Sequence, residues 1–345
     1  MANRSVGIDI GTHTITVAEV SEARSGAVVT NFGGIELPAT IVNGGEVLDP
    51  VAAAEALKEV LASAKLKTRK VWLGVANPRV VVRQIDMPYM PIDELRTSIR
   101  YQAQEHLPIA VEEAEIDLHV VADWVTEEGD HLQRVLLVAA HREMLASHVE
   151  VATRAGLKPQ GVDLNCFALL RAVGNTSSLE RGSEALIDLG AGVTSLIVHE
   201  AGTPTFVRIL STGGDAITDA LAQGLGTDTA DAEAQKRRCR LGGEDAASQV
   251  VTGHVDRFID ELRSSLAYYQ AQPGSRPVSS VVISGGGASL VGLADRLAQH
   301  LRLPVNLASP FDYTRAKTKA YDAEGLRAVG PTLTTAIGLA LGGLE

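Results

Sequence analysis

Val6-Gly-Ile-Asp9-Ile-Gly11-Thr-His-Thr-Ile-Thr-Val-Ala-Glu-Val20 is written a second time, in altered form, as Ala185-Leu-Ile-Asp188-Leu-Gly190-Ala-Gly-Val-Thr-Ser-Leu-Ile-Val-His199. In each copy a short apolar strand ends in Asp-apolar-Gly, a polar or glycine-rich bend follows, and a β-branched run leads away. That pattern predicts a tight hairpin. The spacing makes this the repeat of a half chain rather than of a small unit.

Gly11 and Gly190 let the main chain turn sharply and bring its N–H groups close to an anion, while Thr12, Thr14 and Thr194 add hydroxyl donors. Two such bends facing each other would grip a polyphosphate. A lone carboxylate at each strand end would repel phosphate. Asp9 and Asp188 therefore make physical sense with a hard cation between them, Mg²⁺ with its waters. The rival reading is two unrelated hairpins with solvent-facing aspartates, and the match between the copies argues against it.

The 345 residues are enough for two domains with substantial cores, and 45% hydrophobic with 21% charged residues is ordinary for a globular chain. A net charge of −11 disfavours nucleic acid and anionic lipid as primary partners. Cys166 and Cys239 stand far apart with no CxxC or Cys/His spacing, so neither a disulfide framework nor a zinc site is expected. No signal-like apolar stretch opens the sequence and no apolar run approaches the ~18 residues of a membrane span. The expectation is a cytoplasmic chain.

Asp49-Pro50 reads as a helix start, with Val51, Ala54, Leu57 and Leu61 on its buried face. Strands are expected at 71–75 and 80–85, then a helix over 92–107 carrying Leu95, Ile99, Ala103 and Leu107 on one face, then strands at 116–124 and 134–140. Residues 77–140 thus form a small α+β module without a catalytic constellation. Its strand entering Pro88 and Pro91 bears Val82, Ile85 and Met87, which read either as the module's own core or as the wall of a peptide groove. In the second half, the glycine turn at Gly213-Gly214 feeds a helix whose N–H groups are available to a nucleotide. Glu233 and Lys236 lie three apart on a further helix, a long core helix spans 248–271, and strand 278–284 runs into Gly285-Gly286-Gly287.

The paired hairpins resemble the first and second phosphate loops of the actin-like ATPase superfamily. Ile283-Ser-Gly-Gly-Gly-Ala-Ser-Leu290 looks like its adenosine motif. Met87-Pro-Tyr-Met-Pro-Ile-Asp-Glu-Leu95 with Ile99-Arg-Tyr-Gln-Ala-Gln-Glu-His-Leu-Pro108 resembles the insert of the PilM family of type IV pilus machines, as do Val162-Asp-Leu164 and Phe167-Ala-Leu-Leu-Arg-Ala172. The resemblance covers essentially the whole chain. It implies an α/β, actin-like (ribonuclease H-like duplicated) fold, with two domains around a nucleotide cleft and an FtsA/PilM-type α+β insert. The first domain would be 1–180, with its core at 1–76 and 141–180 and the insert at 77–140. The second would be 181–328, with its core at 181–211 and 278–328 and a helical insert at 212–277. A C-terminal helix at 329–345 would pack back on the first domain.

The same resemblance implies that ATP is bound by Asp9, Gly11, Thr12, His13, Thr14, Gly190, Ala191, Gly192, Val193, Thr194, Gly213, Gly214, Glu233, Lys236, Gly285, Gly286 and Gly287. Magnesium would be held by Asp9 and Asp188 through water. Glu233 and Lys236 read almost equally well as part of a solvated charged helix. Asp163 and Asn165 would position the attacking water. Related proteins usually write Glu-Pro and then small residues there, whereas this chain has Asn165, Cys166 and bulky Phe167, which implies at most a slow ATPase. The expected function is an ATP-binding scaffold at the inner face of the cytoplasmic membrane. It would bind the N-terminal tail of PilN and touch other pilus platform and motor proteins, with no membrane insertion of its own and with homo-oligomerisation left open. An FtsA-like division protein and a small-molecule kinase of the same superfamily are the alternatives.

Overall fold

Strands β1 (Arg4–Ile10), β2 (Thr14–Ala23) and β3 (Gly26–Glu36) form an antiparallel meander. A short ribbon, β4 (Val42–Asn43) and β5 (Glu46–Val47), leads to α1 (Pro50–Ala64). Asp49 starts that helix by accepting from the N–H groups of Val51 and Ala52, with proline in the first turn. Strand β6 (Lys70–Val75) lies parallel to β1. The module β7 (Val81–Pro88), α2 (Ile92–Ala103), β8 (Ala114–Val125) and β9 (His131–His141) comes next. Helix α3 (Arg142–Arg154), strand β10 (Lys158–Leu164) parallel to β6, and α4 (Asn165–Val173) complete the first half.

The second half repeats the plan. Strands β11 (Ser183–Leu189), β12 (Thr194–Glu200) and β13 (Thr203–Leu210) form the meander, followed by α5 (Gly214–Leu225), α6 (Thr229–Lys236) and α7 (Ala246–Gln270). Strand β14 (Val278–Ser284), a 3-10 turn at Gly286–Ser289, α8 (Leu293–Leu301) and β15 (Val305–Leu307) complete the sheet. Then come α9 (Pro310–Tyr313), β16 (Arg315–Ala316) and α10 (Ala323–Gly342). The computed structural model describes residues 3–24, 26–104, 106–174, 182–317 and 321–344. The boundary expected at 180/181 lies outside them.

The sheets run β10-β6-β1-β2-β3-β16 and β13-β12-β11-β14-β15, so both place three meander strands and two parallel strands in the same order. Equivalence reaches single residues. Asp9 pairs with Thr16 on one side and Gly74 on the other, and Asp188 pairs with Ser195 and Ser284. Central strands buried on both faces explain why Val6–Ile10 and Ala185–Leu189 are almost continuously apolar. One face of the first sheet buries Ile8, Ile15 and Val17 with Leu57 and Val60 of α1, and one face of the second buries Ile187 and Leu196 with Val255, Ile259 and Leu262 of α7. Each such side chain contributes roughly 1.5–3 kcal/mol of burial.

The other faces are covered crosswise. Helix α10 lies on β1 and β2 of the first sheet, while α4 lies chiefly on β11 and β12 of the second. The contacts are close enough to require glycine: a Cβ on Gly7 would lie 2.0 Å from Ala336 O, and one on Gly338 would lie 1.8 Å from Ala168 O. Helix α10 starts well before the expected 329 and contains Pro331 internally, a known cause of helix bending. The Pro331 carbonyl accepts from Gly285 N at 3.0 Å and Ser284 Oγ at 2.8 Å.

In the module, α2 stops at Ala103, short of the expected 107. Ile85 and Met87 face Leu95, Ile99, Leu118 and Val135 in its own core, so they are not groove-wall residues. Val82 is half-buried where the module's root meets the crosswise core around α4. Among the described residues β7 pairs with β9 alone, which leaves its other edge open.

Candidate functional site

Both bends are closed by the same hydrogen bond: Gly11 N donates to Thr14 O at 2.9 Å and Gly190 N to Val193 O at 3.0 Å. The two bends face each other. A Cβ on Gly192 would lie 2.7 Å from Thr12 Oγ1 and 3.1 Å from Gly44 N, so the second bend rests against the first bend and the β4–β5 turn. Asp9 and Asp188 sit at the base of this cleft. Burial pushes Asp9 up to about 6, against a 2.9 Å hydrogen bond from Asn165 Nδ2. Burial and the Asp9 charge push Asp188 up to about 7, against a hydrogen bond with the Thr335 side chain.

Other expected residues gather around this centre. Gly285, at φ +83°, passes so close that a Cβ would lie 2.7 Å from Asp188 Oδ1 and 2.5 Å from Leu189 O. Gly286 is exposed and open, and Gly287 touches Leu189; these glycines lead into a 3-10 turn, with α8 starting only at Leu293. Lys236 Nζ donates to Gly214 O at 3.0 Å and Thr218 Oγ1 at 2.8 Å, and Glu233 accepts from Thr218 Oγ1 at 2.7 Å. Half-burial would raise Glu233, but hydrogen bonds from Lys236, Thr218 and Arg237 bring it down to about 2. The pair is therefore tied to the first turn of α5, not merely solvated. His13 Nε2 lies 2.8 Å from Asp215 Oδ1 on the opposite half.

Three expectations are corrected. The Thr194 hydroxyl is fully buried and donates to Thr212 O at 2.8 Å, which turns it away from the cleft. The N–H groups of Gly214 and Asp215 are spent on Gly190 O and Ala191 O, so the start of α5 supports the second bend rather than offering those donors to a ligand. Asp163 accepts from its neighbour Leu164 N at 2.8 Å and from Arg171, which also donates to Gly338 O at 2.8 Å. Its carboxylate is thus part of the α4–α10 crossing, and Asn165 alone of that pair reaches Asp9. Sequence reading missed Thr335, Asp215 and Gly44. Only Gly44 carried a local signal, the Asn43-Gly44-Gly45 turn.

The donor set fits magnesium. Among the described residues no three His, Cys, Asp or Glu side chains converge as a metal cage. Magnesium, however, characteristically uses one or two carboxylates and completes its shell with water and phosphate oxygen. Two carboxylates raised by burial, and in Asp188 also by the Asp9 charge, have a reason to welcome a cation. Asn165 Oδ1, which lies against Gly74, and Thr16 Oγ1, on the residue paired with Asp9, are buried without a protein partner.

A family profile described as type IV pilus assembly protein PilM matches residues 7–344. A solved PilM–PilN type IV pilus biogenesis complex is similar at 27% identity and a TM-score of 0.88, covering 99% of this chain and 98% of that one. The cell division protein FtsA of Escherichia coli (strain K12) is 22% identical over 383 residues, covering 97% of this chain and 89% of FtsA. MreB5 of Spiroplasma citri bound to ADP matches at 13% identity and a TM-score of 0.53, over 97% of this chain and 94% of that one, a likeness of fold. The fold is the actin-like α/β fold, and the division reading is the less supported one. No helix among the described residues is long and apolar enough to cross a membrane. Since the family profile spans nearly its whole length, this chain belongs to the type IV pilus assembly protein PilM family.

Proposed function

We propose that this scaffold of type IV pilus assembly binds ATP with magnesium between its two bends and responds to that nucleotide in its grip on a membrane partner. The observation that carries the nucleotide reading is the pair Asp9 and Asp188, equivalent in both sheets and raised to about 6 and about 7. Bound magnesium would supply the positive charge that lets both carboxylates ionise beside phosphate. Gly11, Gly190 and Gly192 let backbone approach closely, Thr12 and Thr14 add donors, and Gly286, exposed with nothing near an added Cβ, leaves room for a flat group beside the turn. Asn165 orients Asp9. The solved relative with ADP supports this use of the fold. Turnover would be slow, far below the ~10 per second of metabolic enzymes, since Asn165 and Phe167 replace the usual pattern. Calorimetry with and without magnesium is the test. Equal ATP affinity for parent and Asp188→Ala with magnesium present would remove the two-bend site.

The partner reading rests on the solved PilM–PilN complex and on the open edge of β7. That edge faces β13 across a channel of about 220 Å³ lined by Pro78, Val80 to Arg83 and Val207 to Ile209. An extended tail would lie along that channel and fill it with its apolar side chains. A tail bearing Asn-Leu-Leu-Pro, the kind PilN proteins carry, should bind, and a version with both leucines changed to alanine should bind much less. Val81→Asp, in the channel rather than the module core, should weaken the native tail. No binding by the native tail removes this reading. Bound in this way, the protein would sit peripherally at the inner face of the cytoplasmic membrane through its partner.

A further inference from the structure

The side chain of His13 has a geometry that phosphate binding alone does not explain. Its backbone is fixed, because His13 O accepts from Leu37 N at 2.8 Å and the adjoining bend is closed by Gly11 N on Thr14 O. Its Nε2 lies 2.8 Å from Asp215 Oδ1. Asp215 is fixed in turn, through its N–H to Ala191 O at 2.9 Å and its place in the first turn of α5. The bond joins rigid supports on opposite halves, with both side chains about one-third exposed, at 39% and 35%. Beside it, Arg237 of α6 approaches Glu36 of β3 at 3.9 Å, a second and looser contact between the halves.

We propose that His13 and Asp215 form a clasp that holds the halves closed over the nucleotide, and that its opening sets how fast nucleotide leaves. The proposal rests on the nucleotide reading above and adds a means of control to it. The charged groups facing the imidazole are Asp215 from α5 and Glu233 and Lys236 from α6. The Asp215 hydrogen bond raises the His13 pKa above 6.5, outweighing partial burial and Lys236, with Glu233 helping. The closed form binds the proton more tightly than an open form in which His13 stands in water, so protonation favours closure. The charge-assisted part of the clasp is fully present below pH 6.5 and is lost as pH climbs through the raised value, the range where histidine serves as a switch. A charge-assisted bond is roughly twice as strong as a neutral one, so deprotonation loosens the clasp without abolishing it.

The test is stopped-flow displacement of a fluorescent ATP analogue from the full chain with magnesium, between about pH 5.5 and about 8.5. Release from the parent should quicken roughly three- to tenfold across that range, a tenfold change corresponding to about 1.4 kcal/mol. Asp215→Ala should release fast at every pH. His13→Lys, which keeps its charge throughout, should release slowly at every pH. If His13 served the phosphate alone, Asp215→Ala would not quicken release, and that result overturns the clasp. So does a release rate with the same pH dependence in the parent and in His13→Lys, a comparison in which the titration of Asp9 and Asp188 cancels. Should the analogue fail to bind at all, the nucleotide reading falls, and the clasp is judged in the ligand-free protein. A donor and acceptor placed on exposed Lys58 and Asp219 should then separate as pH rises in the parent, and stay apart at all pH in His13→Ala. An unchanged distance rejects it.

Discussion

The bend after β1 and the bend after β11 share a backbone and divide the work. Each is closed by its glycine N–H on the carbonyl three residues later. The second is then wired into its own half: Thr194 donates to Thr212 O, and the carbonyls of Gly190 and Ala191 accept from the start of α5. The first is held within its own half by Leu37 N on the His13 carbonyl, while Thr14 is exposed and the His13 side chain reaches to the other half. Duplication has kept the strand-end carboxylate and the turn in both copies, while the exposed hydroxyl and the reaching side chain stand on one copy and the buried, backbone-bonded threonine on the other.

The largest effect should come from the feature the two bends still share. Asp9→Ala and Asp188→Ala should each lower ATP affinity by about tenfold or more with magnesium, about 1.4 kcal/mol per decade, and hardly at all without it. Calorimetry that shows only one of them to matter would extend the asymmetry to the carboxylates. Next in size, Gly190→Ala should cost more than Gly11→Ala, because its Cβ would meet Val193 O at 2.6 Å whereas the other would meet Thr14 O at 3.2 Å. Urea melting should show a loss of about 1–3 kcal/mol for the first, as for other overpacked sites, and a smaller one for the second. Equal losses would mean that the bends are braced alike.

A third test uses pH. Folded Asp9 and Asp188 hold protons up to about 6 and about 7, against 3.8 for an ordinary aspartate. In that window the folded state binds more protons than the unfolded one, so their contribution to stability falls as pH rises. Asp188→Asn should be more stable than the parent near pH 7 in ligand-free protein and should flatten the decline; an unaltered pH profile would mean that the pair is not strained. The smallest expected effect separates two hydroxyls. Thr194→Val should lose about 1 kcal/mol of stability with affinity intact, and Thr14→Ala should lose a few-fold in affinity with stability intact. The reverse outcome would exchange the roles of the two bends.

What the sequence disclosed was whatever local chemistry dictates. Asp-apolar-Gly before a β-branched run, Asp49-Pro50 before a helix and the glycines after β14 are turn and cap signals readable within a few residues. They place the hairpins, and the hairpins place the site. The directions of individual side chains were not local. Thr194 is sealed by Thr212 across the sheet, Asp163 is diverted by Arg171, and His13 meets a residue 202 positions away. Ile85 and Met87 alternate on β7 as groove or core residues equally would, and only the arrival of α2 decides for core. The start of α10 was missed because a proline at 331 reads as a first-turn residue, whereas packing on β1 and β2 sustains the helix around it.

The placement of α10 also has a consequence for how the protein is made. Ala18, Val20 and Val29 are synthesised well ahead of their cover, Leu333, Ala336, Ile337 and Ala340 of α10. At roughly 5–20 residues per second of synthesis, the first sheet waits some tens of seconds on the ribosome with one apolar face bare. The first half therefore cannot mature ahead of the second, and the newborn chain depends on whatever shields that face until α10 emerges.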